Sequence, residues 1–508
     1  MKKLLNIACL CVLLFSCATN QLSEGEEIVE YKDISYTSED KKQLTEAELR
    51  EDCDMLKYIV YNSYAGIDEA IENGFDLDAT IEEIYNKTLE KKVLGMYNTS
   101  DFKSIAREVF SKNLNNTDQH ISIENELKNQ KKLYYTKIYL NKIDDKYVVC
   151  KSEEKSVQEG MEYTGPESNL YEIITAEGPV YRYGLMTNKG IKTAQISLNG
   201  QKFSVEAKPD NPIPKKNDWS GLKTTENTVY ISLGDCIQST GIGNSSMLSE
   251  YYWTNYLSQV SENTRGKSNI IFDLRSNVGG YREFPAKILR AAYYFENKDE
   301  QRSEDIEALM INITGEECKQ IISPVTEQRS NISLTKNNSV IFNRYTPELQ
   351  EFYKAYWKRM KRRPTRLFIS LKQFYTELET LPAPDFNGDV YILLNHKSAS
   401  AAEFGTLMAY ELKDQGINVH IVGENSCGAF KYGGMRSYLL KNSSLYLYLG
   451  CYFGEPPLIK SLPNWHGEGS GFVPDYWATN DTILNTLVTL TKDQQLLEVL
   501  KGLDKGLL

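Results

Sequence analysis

Histidine is scarce in this chain: His120, His396, His420 and His466 are the only four in 508 residues. Any reaction that needs an imidazole base therefore has four places to find one. No CxxC pair occurs and no Cys/His cluster has metal-ligand spacing, so neither a structural zinc site nor a disulfide framework is indicated, and no metal or cofactor is expected. Long apolar runs are also missing. The run from Leu4 to Phe15 is too short to cross a bilayer. Positive charge is in deficit, with 58 Lys and Arg against 69 Asp and Glu and a net charge of −11. Such a body is repelled by phosphate backbones, which argues against nucleic acid as a partner. One stretch departs from this, Lys354 to Arg366, where cations surround Tyr356 and Trp357. It reads as a solvated helix face ended by Pro364, with an anionic lipid or nucleic-acid patch as the alternative.

What is present is a soluble, globular composition, 41% hydrophobic and 25% charged. The length implies two or three domains. The first residues, "MKKLLNIACLCVLLFSCATN", have the anatomy of a secretory signal and resemble a bacterial lipoprotein signal, 1–16, with Cys17 as the lipidated first residue of the mature protein. Several acyl chains on that residue imply a stable membrane anchor. Cys9 and Cys11 leave with the signal; Cys53, Cys150, Cys236, Cys318, Cys427 and Cys451 remain, too scattered for sequence to pair them. An acidic tether follows over 17–43.

Thr45 and Glu48 fit a capping box, and Leu49, Cys53, Leu56, Ile59 and Val60 recur at helical spacing, opening a helical domain over 44–130. From Tyr134 the pattern turns to β-branched and aromatic residues between Asp-Asp, Gly-Pro and Asn-Gly turns, a β-rich domain over 131–215. Over 226–500 apolar strands alternate with helical stretches, the order of an α/β core, interrupted by an insertion at about 300–375.

Two turns in that core bring backbone and chemistry together. "NIIFDLRSNVGG" runs a strand into Gly279 and Gly280, where positive φ lets N–H groups approach a bound group. "DVYILLNHKSASAAEF" runs a strand through a tight turn into a helix. Ser400 and Glu403 fit a capping box, so Ser400 reads at minimum as a helix start. The same placement leaves the N–H of Ala401 at the positive end of the helix, where it can hold an oxyanion beside a serine nucleophile.

"FDLRSNVGG", "LLNHKSASAAEF", "VGENSCGAF" and "EGSGFVPDY", in that order between residues 272 and 476, resemble the S41 serine peptidases, the carboxyl-terminal processing and tricorn-type proteases. The resemblance implies a ClpP/crotonase-like α/β core, Ser400 rather than Ser398 as nucleophile, and oxyanion donors from Ala401 and from Gly279 or Gly280. Processing proteases carry a basic lysine where Ala429 stands. Lys431, two residues on, is the alternative base, displaced by about 6.6 Å along a strand. Tricorn-like members use a histidine oriented by a glutamate, which on this sequence are His120 in "NNTDQHISI" and Glu468 in "HGEGSGFVPD". The middle segment lacks a recognisable PDZ carboxylate-binding loop, so capture of free C-termini is not implied.

The expectation is an exported, lipid-anchored serine endopeptidase of the bacterial cell envelope, acting on peptide or protein substrates. Ser400 attacks, His120 takes the proton and Glu468 orients it. The alternatives are a Ser400/Lys431 dyad protease and a catalytically inactive peptide-binding lipoprotein of the same fold.

Overall fold

The structure is a computed structural model that describes residues 41–114, 118–126, 130–210, 220–234, 236, 246–295, 318–320, 383–450, 452–454 and 457–503. The signal, nearly all of the tether, nearly all of the insertion and the basic run at 354–366 lie outside these residues.

Helix α1 (Glu46–Ser63) starts as its sequence dictates: Thr45 Oγ1 accepts the N–H of Glu48 at 3.3 Å and Glu48 Oε2 accepts that of Thr45 at 2.8 Å. Its stripe of Leu49, Cys53, Leu56, Ile59 and Val60 is fully buried. Helices α2 (Ile67–Glu72), α3 (Leu77–Leu89) and α4 (Thr99–Asn113) pack on the same core. That core is not closed by the N-terminal helices alone. Tyr438, Leu440, Leu445, Leu447 and Leu449, more than 300 residues downstream, complete it. Burying a side chain of this size contributes roughly 1.5–3 kcal/mol, enough to tie the two ends of the chain together. Strand β1 (Ser122–Ile123), just after α4, pairs with a strand from this returning segment, Ile123 opposite Leu447 and Ser122 opposite Tyr448.

Strands β2 (Lys132–Ile143), β3 (Leu170–Thr175) and β4 (Gly178–Thr187) form an antiparallel group. The core follows with β5 (Ser220–Thr224), β6 (Thr228–Leu233), α5 (Ser246–Thr264), β7 (Asn269–Asp273), α6 (Glu283–Tyr293), β8 (Asp389–Leu394), α7 (Ala401–Tyr410), β9 (Asn418–Gly423), β10 (Tyr446–Leu449) and β11 (Tyr476–Trp477). Strands β6, β7, β8, β9 and β11 are parallel neighbours in that order, with β5 antiparallel at one edge. A single parallel bridge, Trp477 to Ile173, joins β11 to β3, so the middle strands and the core form one hydrogen-bonded sheet.

The runs "VYISL", "NIIFD" and "VYILL" are buried throughout because both faces of the sheet are covered. Ile231, Ile270, Phe272, Val390 and Ile392 point toward α5, α6 and α7. The alternate residues Tyr230, Ile271, Tyr391 and Leu393 point to the opposite face, against Ile483, Leu487 and Leu496. The result is a mixed α/β fold whose parallel strands end at the 276–280 and 395–400 turns.

Candidate active site

Between β8 and α7 the two serines of the turn part roles. Ser398 is fully buried: its Oγ donates to Leu274 O at 2.9 Å and accepts the N–H of Asn395 at 3.0 Å. It holds the turn. Ser400 is partly exposed and has φ 54°, ψ −113°, a conformation costing a non-glycine residue on the order of 1–3 kcal/mol. Three contacts enforce it. Glu403 Oε2 accepts the Ser400 N–H at 3.1 Å, Asn277 O accepts the Ala399 N–H at 2.9 Å, and Gly279 lies directly against the turn. A Cβ on Gly279 would come within 2.6 Å of Ser400 Cβ and 2.9 Å of Ala399 O, so only glycine fits, at φ 95°.

Glu403 does more than cap the helix. Fully buried, it also accepts the N–H groups of Gly428 at 2.7 Å and Ala429 at 2.8 Å and the hydroxyl of Ser426. Burial pushes its carboxyl up to about 7 against these donors. One carboxylate thus ties the Ser400 turn to the 426–429 segment.

Of the two glycines, the N–H of Gly279 is already donated to Asn277 Oδ1 at 2.9 Å. Of the two alternatives, that leaves Gly280 as the candidate oxyanion donor. The N–H of exposed Gly280 makes no hydrogen bond among the described residues, and neither does that of Ala401 at the start of α7.

His120 is held by β1, which follows it directly, and its side chain is 15% exposed, so the ring is neither lost in solvent nor sealed off. Asp118 Oδ1 accepts the His120 backbone N–H at 2.7 Å and lies 3.8 Å from Nδ1. Glu468 comes to the same ring: one ligating atom each of Asp118, His120 and Glu468 all lie within 4.8 Å of one another. Glu468 is positioned by the N–H groups of Phe430 at 3.0 Å and Lys431 at 2.9 Å, both donated to Oε2. Those residues directly follow the pair bound by Glu403, so the 426–431 segment links the Ser400 turn to the His120 cluster. Burial lowers the His120 imidazole to about 4 and raises the Asp118 carboxyl to about 7. Burial, and then the charge of Asp118, push Glu468 well above the ordinary carboxylate range. His120 and Ser400 are not hydrogen-bonded to each other.

Asp118 had no assigned role in the sequence reading. Its signal was the Asp-x-His spacing, which suits a side chain accepting the N–H two residues on. Behind it, the buried Tyr64 hydroxyl hydrogen-bonds the Asp118 carboxylate.

Lys431 does not face Ser400. Its Nζ pairs with Glu69 Oε1 of α2 at 2.7 Å and lies 4.8 Å over the Phe453 ring. The alternative base is thereby set aside, and Ala429 at the family's lysine position offers only its backbone N–H, to Glu403. The rings of two other histidines are engaged elsewhere. His396 Nδ1 pairs with Glu424 at 3.1 Å, and His420 lies against the Tyr391 and Tyr476 rings at 5.5 and 5.8 Å. His466 is exposed, and its backbone N–H donates to Gly471 O at 2.9 Å.

The chain is similar in structure to mature CPAF (13% identity, covering 90% of this chain and 98% of that one, TM-score 0.42). It is also similar to the photosystem II D1 C-terminal processing protease (11%, 85% and 93%, TM-score 0.31) and the tricorn protease (13%, 88% and 37%, TM-score 0.29). At such TM-scores these likenesses carry no argument about activity. A search of curated proteins found no match. The model of peptidase family S41 matches residues 244–452, the stretch that holds Gly280, Ser400 and Ala401, while His120 and Glu468 fall outside it. On that match residues 244–452 carry a peptidase family S41 domain, which supports reading the chain as a serine peptidase.

Proposed function

We propose that Ser400 is the nucleophile of this peptidase, His120 its base, and Glu468, together with Asp118, the carboxylates that orient the imidazole. The supporting observation is the linked pair of carboxylates: Glu403 fixes the Ser400 turn to the very segment whose next two N–H groups hold Glu468 against His120. A neutral imidazole is the state a base needs, and burial of His120 favours it. Ser400 Oγ attacks the scissile carbonyl as its proton passes to His120 Nε2, and the N–H groups of Ala401 and Gly280 receive the developing oxyanion. Collapse expels the amine, which takes the proton from His120; water then repeats the cycle and releases the acid. In apo enzymes the nucleophile–base hydrogen bond is often open and tightens on substrate, so the Ser400–His120 pair closes at that stage.

The substrate is a peptide or protein, and the setting is the bacterial cell envelope, with the mature chain held to a membrane through lipidated Cys17. A serine-reactive phosphonate tests the chemistry. It should label the wild-type protein at Ser400 and leave Ser400→Ala unlabelled. Labelling at another residue moves the nucleophile there and overturns the assignment; no labelling in wild type returns the chain to a binding role. Incorporation of radiolabelled palmitate, lost in Cys17→Ser, tests the anchor.

A further inference from the structure

We propose that Asp118, His120 and Glu468 also form a site for a divalent transition-metal ion of the zinc class, and that its occupancy silences the peptidase. The silencing rests on the reading of His120 as base; the binding does not.

The geometry points there first. One ligand atom from each residue lies within 4.8 Å of the other two, and Asp118 Oδ1 to His120 Nδ1 is 3.8 Å. A tetrahedral ion with bonds of about 2.0–2.2 Å holds its ligand atoms roughly 3.3–3.5 Å apart, so closure needs movements of about 1 Å. Two of these residues each have an atom waiting for a partner. His120 Nδ1 and Glu468 Oε1 are both buried and neither makes a hydrogen bond. A buried polar atom left in this state is unfavourable, and a bound ion would relieve it.

The donor set chooses the ion. One imidazole nitrogen and two carboxylate oxygens suit zinc, cobalt or nickel; calcium wants six or more oxygens and magnesium keeps an octahedral shell of oxygen and water. The carboxylate charges balance a divalent cation, and the nearby cation Lys431 is committed to Glu69. The ligands are also held from behind, Glu468 Oε2 by two backbone N–H groups and Asp118 by that of His120, the outer contacts that orient metal ligands. The ring's 15% exposure leaves a way in.

The inhibition follows from tautomer chemistry. A base needs its proton on Nδ1 and a free lone pair on Nε2. An ion on Nδ1 takes that nitrogen's lone pair, and the proton it carried moves to Nε2. The imidazole stays neutral with its proton now on Nε2, any proton held by the two carboxyls leaves to solvent as they ligate, and Nε2 can no longer accept the proton of Ser400. The ion would act as a brake and not as a resident cofactor.

Cobalt(II) titrated into Ser400→Ala protein tests binding without calling on activity. One equivalent should give visible d–d absorption bands that zinc abolishes. Glu468→Gln and His120→Ala, each placed on the Ser400→Ala background and checked for wild-type circular dichroism, should weaken cobalt binding at least tenfold. No bands, or bands of equal affinity in both variants, overturn the metal site. In the wild-type protein, phosphonate labelling should slow in step with zinc occupancy and recover with a chelator. Occupancy without slower labelling overturns the silencing and the base assignment together. Slow labelling in His120→Ala with no cobalt bands in Ser400→Ala overturns the metal site and leaves the base standing.

Discussion

Lys431 Nζ lies 2.7 Å from Glu69 Oε1, and the Tyr432 hydroxyl donates to the other oxygen of the same carboxylate at 2.7 Å. The two residues are 362 positions apart in the chain. Their contact turns the lysine toward α2, while its backbone N–H, pointing the other way, holds Glu468. The side chain is structural, and the main chain holds the carboxylate proposed to orient His120.

Lys431→Met should therefore leave the phosphonate labelling rate within a few-fold of wild type. The loss expected is in stability, about 1 kcal/mol or less for a partly exposed pair, seen as a lower denaturant midpoint. A labelling rate that collapses with the fold intact would make the lysine the base after all.

Gly279→Ala carries a methyl group into Ser400 Cβ, Ala399 O and Ala401 N at a backbone angle that L-residues avoid. The turn must shift, and a displacement near 1 Å at a reacting atom costs about 10²-fold. Labelling should slow by that order, with destabilisation of roughly 1–3 kcal/mol in urea unfolding.

Leu447→Ala empties a fully buried position in the core shared by α1–α4 and the returning segment, opposite Ile123 of β1. It should cost about 2–5 kcal/mol. Because β1 directly follows His120, labelling of Ser400 should slow as well, although Leu447 belongs to neither turn.

Glu411, just after α7, is half-buried with both carboxylate oxygens buried and unpartnered among the described residues, and burial pushes its carboxyl up to about 9 from an ordinary 4.5. Between those values the folded chain keeps a proton that the unfolded chain releases. Its contribution to stability is therefore full below pH 4.5 and is lost as pH rises toward about 9. Glu411→Gln removes the titration. It should raise Tm at pH 8 and change little at pH 4; an unchanged difference across that range would show that the carboxyl titrates normally.

Much of the core was legible because its signals are local. The α1 stripe and its capping box need only residues a turn apart, and the strand–turn–helix around Ser400 needs a buried run, a tight turn and a cap. The Asn277 and Asp118 side chains each accept an N–H two residues on, so the loss of Gly279 as a donor and the presence of Asp118 beside His120 were in principle readable from spacing. The direction of Lys431 was not. It is decided by Glu69, and nothing near position 431 announces it. Likewise a single bridge between Trp477 and Ile173 merges the middle strands with the core sheet, a pairing too short to leave a pattern. The meeting of His120 with Glu468 was available only through resemblance, since 348 positions of chain separate them and the segment that joins them is held by backbone N–H groups.

The most direct measurement is the second-order rate of phosphonate labelling at Ser400 in His120→Ala relative to wild type, with circular dichroism showing both folded. Loss of the base should slow labelling by about 10³-fold or more, since a serine hydroxyl is nearly inert without an acceptor for its proton. An unchanged rate in that variant would contradict the account at its centre.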